Sequence, residues 1–168
     1  MKTPAEALAV LQARARKLAE PETPEHEADA EPYVAYTLGE HALALPLGAV
    51  LYAGRLHHLT AVPGAEACFL GVTALGGHVV AVLDAAALLQ LPRRGLSDIN
   101  ACLVVRHGGR KLGLGAAELL GIEDLPHRCI RSFPAGGPAV PRIALLPGRQ
   151  LLLLDLAQLL ADPRLAPG

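Results

Sequence analysis

The chain is short of the residues on which most enzyme and nucleic-acid chemistry depends. Among 168 residues there is no Trp, three Tyr and two Phe, so no aromatic platform exists for stacking bases or sugars. Serine occurs only at Ser97 and Ser132, neither within a Gly-x-Ser-x-Gly elbow, which leaves a serine hydrolase without its nucleophile setting. Cys68, Cys102 and Cys129 are odd in number, far apart and free of any Cys-x-x-Cys spacing. They fit reduced thiols in a cytosol better than a disulfide framework or a zinc site. No apolar run approaches the roughly 18–20 residues of a membrane helix, and no secretion signal is expected. A net charge of −1 and a pI near 6.6 speak against a nucleic-acid groove, which is normally strongly basic.

What is present is apolar material. Hydrophobic residues make up 52% of the chain and charged ones 18%, enough for a core and too apolar for whole-chain disorder. The length suits one domain, or two small subdomains sharing one core. Thr3-Pro4-Ala5-Glu6 offers an N-cap, a first-turn proline and a capping-box glutamate. Leu8, Leu11, Ala15 and Leu18 follow at helical spacing, so a helix is expected over residues 1–20, either docked on its own domain or serving as a partner-binding arm. Over residues 21–32, acidic residues alternate with Pro21, Pro24 and Pro32, the pattern of a solvated linker. Residues 1–32 carry four Lys/Arg against seven Asp/Glu, a net −3, leaving eleven against nine, or +2, for residues 33–168.

After Pro32 the hydrophobic period becomes 2, and short strands separated by turns are expected to the end of the domain near residue 163, with 164–168 as a tail. Tyr33–Leu38 and Ala42–Leu47 form one hairpin and Val50–Arg55 continues extended. A helical turn is expected at Ala65–Leu70. Gly71–Leu75 and His78–Leu83 flank Gly76-Gly77, and Ala101–Arg106 and Lys111–Gly115 flank His107-Gly108-Gly109. Arg128–Pro141 is a Gly/Pro-rich stretch, and Ile143–Leu146 and Leu151–Leu154 form the last hairpin. Two internal echoes stand out. Val80–Leu89 matches Leu151–Leu160 at an offset of 71, including Asp84 and Asp155 ahead of a Leu pair. Leu43-x-Leu45 with Val50-Leu51 matches Leu112-x-Leu114 with Leu119-Leu120 at an offset of 69. Two copies are too few for a solenoid and suit two similar small β-barrels.

The chemistry-bearing residues do not converge. His57 and His58 are adjacent and face opposite ways on an extended chain, and no His-Glu-x-x-His exists. Glu123-Asp124 is an isolated acidic pair, and Asp84 and Asp155 read as helix caps. The glycines lack phosphate-loop spacing. No catalytic residue, metal site or cofactor is expected, and the chain reads as a cytosolic β protein that binds other proteins.

The stretch from Val62-Pro63-Gly64 through Gly71-Val72-Thr73-Ala74-Leu75-Gly76-Gly77 to Val82-Leu83-Asp84 resembles the signature of the CheW family. Tyr36-Thr37-Leu38-Gly39, Leu45-Pro46-Leu47 and Val50 resemble that family's opening hairpin and following strand. The resemblance covers about residues 33–163. It implies a mostly β fold of two five-stranded SH3-like barrels sharing one core, with short helices, to which this chain adds its N-terminal helix. It also implies a non-catalytic adaptor, cytoplasmic and recruited to receptor arrays, that couples chemoreceptor cytoplasmic tips to a CheA-type histidine kinase. Val50, Gly71, Val72 and Thr73 then fall at the receptor groove, and Tyr52, Leu75, Gly76 and Gly77 on the kinase side. Three positions depart from the family pattern: Gly76 stands for its Arg, Ala81 for its Pro and Ala117 for its Asp. The alternative is a divergent CheW-like module that binds a response regulator or other output protein without receptor contact.

Overall fold

The computed structural model describes residues 29–92 and 99–166. The chain divides into two units, Met1–Ala30 and Glu31–Gly168, and the second carries the described helices and all of the described strands but the first residue, Ala30. The helix expected over residues 1–20 and the linker up to residue 28 lie outside the described residues.

Alternating sequence becomes strand almost everywhere it occurs. β1 (Ala30–Leu38) and β2 (His41–Pro46) turn at Gly39-Glu40, and β3 (Val50–Arg55) follows a short 3-10 turn. β4 (Phe69–Leu75) and β5 (His78–Leu83) turn at Gly76-Gly77, and α1 (Ala85–Leu88) closes the first half. β6 (Ala101–His107), β7 (Arg110–Ala116), β8 (Glu118–Pro126), β9 (Ile130–Ser132), β10 (Arg142–Leu146), β11 (Arg149–Leu153) and α2 (Leu156–Leu160) complete the order. Asp84 and Asp155 cap the two helices, their carboxylates accepting from the N–H of Ala87 at 3.2 Å and of Gln158 at 3.1 Å.

The strands form a six-stranded sheet, β8-β1-β2-β11-β10-β9, and a five-stranded sheet, β3-β6-β7-β5-β4. The duplication is visible in the register. Val82 pairs in parallel with Gly113, and 71 and 69 residues away Leu153 pairs in parallel with Ala44. The N–H of Asp84 donates to Cys68 O at 2.7 Å, and the N–H of Asp155 donates to Ala139 O, again 71 residues on, at 2.8 Å. Each repeat therefore splits. Its first hairpin lies in one sheet and its next strands in the other, so β3 pairs with β6 of the second repeat while β8 lies beside β1 of the first.

Successive side chains of a strand face opposite ways, and here both faces are buried. On β1, Val34, Tyr36 and Leu38 join Leu43, Leu83, Leu103, Leu114 and both helices in one core between the sheets. Tyr33 and Ala35 instead pack with Ala44, Leu125, Ala144, Leu151 and Leu153 within the six-stranded sheet. Burial pushes the Cys102 thiol up to about 12, and Cys68, Cys102 and Cys129 are all unbridged.

Several expectations require correction. One sheet has six strands rather than five, because β9 arises within the Gly/Pro-rich stretch, where Arg131 pairs with Ile143. No helical turn forms at Ala65–Leu70. Phe69 and Leu70 already belong to β4, whose pairing with β5 begins at Phe69 and Leu83. Ala30, Glu31 and Pro32 belong to β1 rather than to the linker. Residues 164–165 are not a loose tail: Arg164 donates to Ala87 O and Leu88 O at the end of α1, and Leu165 packs against the core. The Arg164 guanidinium beside Asp162 also holds that carboxyl down at about 2.

A fragment covering residues 30–92 holds β3 without β6, and β5 without β7. It should show no cooperative melt by circular dichroism, since an isolated hairpin is at best marginally stable, and a dispersed spectrum from it would refute the split-repeat account. Tyr36 makes a second test. Its side chain is fully buried and its hydroxyl has no hydrogen-bond partner among the described residues. Burying an unpaired hydroxyl is costly, so Tyr36→Phe should stabilise the protein by about 1 kcal/mol in urea denaturation. A loss of stability would mean that the hydroxyl has a partner in solution.

Candidate protein-binding site

The residues expected to meet partners lie on β3 and β4, the two edge strands of the five-stranded sheet, and on the Gly76-Gly77 turn that follows β4. β3 carries a register shift between Val50 and Tyr52, which breaks the alternation. Val50 stays half-buried against the shared core, while Leu51 and Tyr52 are both exposed, at 38% and 42%. An edge strand with two adjacent large apolar side chains in solvent is a surface suited to a protein partner.

Tyr52 does not wave freely. Its ring lies against two glycines, one on its own strand and one across the molecule. A Cβ at Gly54 would stand 2.9 Å from Tyr52 Cε1, and a Cβ at Gly76 would stand 2.6 Å from Cγ and Cδ2. The Gly76-Gly77 turn, with φ of +58° and +77°, is the mirror-image type that two-residue hairpins prefer. The ring thus rests on bare backbone, and Tyr52, Leu75, Gly76 and Gly77 form one contiguous assembly. Any side chain at Gly76, where the resemblance implies an arginine, would displace the Tyr52 ring.

The second group behaves differently. Gly71 is buried at an irregularity of β4 with φ of +150°. A Cβ there would overlap the Thr60 carbonyl oxygen and stand only 2.8 Å from the carbonyl carbon. Thr60 and Val72 exchange both backbone hydrogen bonds, at 2.8 and 2.9 Å, and the Thr73 hydroxyl donates to His58 O at 2.5 Å. Together these bonds strap the 56–68 loop along the outer edge of β4. Thr73 is only 6% exposed. A side chain at Gly71 therefore strikes the chain's own loop before it reaches any partner. Val72 and Val50 keep partly exposed side chains.

Residues 57–67 are all exposed, with Leu59 at 37% and Val62 at 48%, and Leu120, Ile122 and Leu145 are exposed on the six-stranded sheet. None of these stands out in the sequence as a binding residue. Leu120 was reachable, since the offset of 69 makes it the counterpart of Leu51. No group of three or more His, Cys, Asp or Glu side chains among the described residues is placed to hold a metal. No helix among them is long and apolar enough to cross a membrane.

A family model for the CheW-like domain matches residues 32–164. The crystal structure of the scaffolding protein TtCheW from Thermoanaerobacter tengcongensis superposes with a TM-score of 0.69 at 19% sequence identity, covering 80% of this chain and 95% of that one. At that identity the likeness is one of fold. No curated protein matches the chain by sequence.

The two glycines separate by mechanism. Gly71→Ala should cost about 3 kcal/mol, because left-handed strain and a backbone clash act together. Gly77→Ala meets no atom within 4 Å and should cost about 1 kcal/mol from its backbone angle alone. Urea denaturation of both variants checks the order. Equal losses would show that the strapped loop yields freely.

Proposed function

The chain belongs to the family of CheW-like domains, and we propose that it is a non-catalytic adaptor in bacterial chemosensory signalling, coupling chemoreceptor cytoplasmic tips to a CheA-type histidine kinase. The observation that carries this reading is the family match over residues 32–164, which takes in both helices and nearly all of both sheets. The fold likeness to a scaffolding protein supports it. On this reading the two sheets are the family's two SH3-like barrels, and residues 33–163 are the working domain. The place of action is cytoplasmic, at membrane-associated receptor arrays.

Two surfaces divide the work. The kinase side is the Tyr52 ring on the Leu75-Gly76-Gly77 turn, extended by Leu51. Its aromatic anchor is pre-positioned, which lowers the entropy lost on binding. The receptor side is Val50 and Val72, whose side chains are partly exposed, while Gly71 and Thr73 shape the strand beneath them. The packing of Tyr52 on Gly76 also favours a second reading, because the ring covers the turn where the family carries an arginine. On that reading the module binds a response regulator or other output protein and makes no receptor contact.

Kinase assays in membranes reconstituted with receptor and CheA distinguish the two. The adaptor reading expects the chain to raise receptor-controlled phosphorylation, and no gain would favour the second reading. Tyr52→Ala should weaken kinase binding by at least about 2 kcal/mol, the scale of an interface hot spot. Its melting temperature should fall only modestly, since the ring is half-exposed and rests on glycine backbone rather than in the core. Unchanged kinase affinity in the folded variant would remove Tyr52 from the kinase surface.

A further inference from the structure

The hairpin joining β6 and β7 reads Arg106-His107-Gly108-Gly109-Arg110-Lys111, and every one of these residues is exposed. Arg106 lies opposite Lys111 and His107 opposite Arg110 in the ladder. Like charges placed directly across a strand pair disfavour pairing, so this arrangement works against the hairpin it decorates. Among the described residues Arg106 and Arg110 form no ion pair, and the Lys111 ammonium meets only His78 Nδ1, at 3.3 Å.

The molecule carries its own control. At an offset of 69 the first repeat builds the same hairpin from Thr37-Leu38-Gly39-Glu40-His41-Ala42, in the same register. The fold therefore has no need of the cations. Each hairpin also borders an apolar cavity. The one beside His107 and Arg110 has a volume of about 300 Å³ and an apolar lining of Phe69, Leu83, Leu112, Leu160 and Leu165. Its counterpart, of about 290 Å³, has His41 at its edge where the second repeat has Arg110. The acid on the turn that supplies Leu165 is already taken, since Asp162 pairs with Arg164.

From these observations we infer that the β6–β7 hairpin and the cavity beside it bind an acidic peptide segment of a partner protein, one carrying an apolar side chain among its carboxylates. The apolar side chain enters the cavity. The carboxylates lie across the hairpin tip, where Arg110 and His107 face the cavity and Arg106 and Lys111 face the other side of the ribbon. All four stand within about a Debye length of a chain crossing the tip. A polyphosphate backbone offers nothing to an apolar cavity. The apolar groups are recessed, with Leu83 fully buried and the other four partly so, and they cannot reach into a lipid surface. This site is separate from the two surfaces of the adaptor reading and does not depend on it.

The test uses the full chain and a fluorescein-labelled peptide, Glu-Asp-Glu-Leu-Glu-Asp-Glu, followed by anisotropy at about 50 mM salt, where surface charges act at longer range. The triple variant Arg106→Thr, Arg110→His and Lys111→Ala installs the residues the first repeat already uses. It should bind about tenfold more weakly, the sum of three exposed charge pairs, and should melt no lower than the parent. A peptide with Ala for Leu should bind the parent several-fold more weakly. No saturable binding by the parent, equal binding by the triple variant, or equal binding of the two peptides would each overturn the inference. So would tighter binding of duplex DNA or of phosphatidylserine vesicles than of the acidic peptide, since either would assign the cations to another class of partner.

Discussion

Two short parallel pairings, Val82 and Leu83 with Gly113 and Leu114, and Leu152 and Leu153 with Leu43 and Ala44, hold the two repeats in one body. Parallel strands cannot be joined by a tight turn and need a long connection between them. In this chain each parallel pair is made between repeats, so the connection is the remainder of the protein. Antiparallel hairpins can form locally at every Gly-rich turn, but neither sheet can be completed until both repeats are present. The entropy of closing those long loops must be met by non-local contacts, which places β5, β7, β2 and β11 at the centre of stability. The helices depend on this arrangement too. Each begins directly after a strand of the parallel pair, its cap Asp bonded back to the segment ahead of the hairpin, so helix position is set by the parallel register.

The same pairing dictates where small residues must sit. Gly113 occupies the register position that Ala44 fills in the first repeat. A Cβ at Gly113 would meet Cys102 Sγ at 2.8 Å and Val82 Cγ2 at 3.2 Å. The six-stranded sheet places Tyr33 where the five-stranded sheet has Cys102, and yet accepts a Cβ at Ala44. The two interiors reach close packing by different distributions of volume, as cores generally can when their total volume suits the space. Duplication has preserved the ladder and let the side chains diverge.

Much of this was legible in the residues. The hairpins at Gly76-Gly77 and Gly108-Gly109 and the two Asp caps depend only on local chemistry, and they appear where local chemistry puts them. The offsets of 71 and 69 relate equivalent places in the two sheets, Val82 with Gly113 in one and Leu153 with Ala44 in the other, but they do not say which strands pair. The sheet that each strand enters was not legible, because period-2 patterning says which face is apolar and nothing about which neighbour covers it. β9 escaped for a related reason: its three residues sit amid Gly and Pro, and only its place beside β10 makes them a strand. At the candidate site, the exposure of Tyr52 depends on a bulge and the role of Gly71 on the approach of Thr60. Both are long-range facts that no local pattern encodes.

Comparison of the two repeats also bears on the candidate site. Tyr52 and Gly76 correspond to Gly121 and Pro147. Where the aromatic ring is present the turn residue has no Cβ, and where the ring is replaced by glycine the turn residue is proline. Steric exclusion accounts for the pairing, since a ring resting 2.6 Å from a would-be Cβ cannot coexist with a proline there. The turn changes its backbone accordingly. Gly76 and Gly77 both have positive φ, whereas in the second repeat only Gly148 does, at +75°, as a Pro-Gly type II turn requires. Both solutions join their strands with two residues, and both keep the flanking pairs, Leu75 with His78 and Leu146 with Arg149. The fold is therefore indifferent to which is used. A half-exposed tyrosine on a glycine platform, present in one repeat and unnecessary in the other, is an addition to the fold. Its position on an edge strand of the five-stranded sheet, half-exposed, is where an added aromatic side chain can meet another protein.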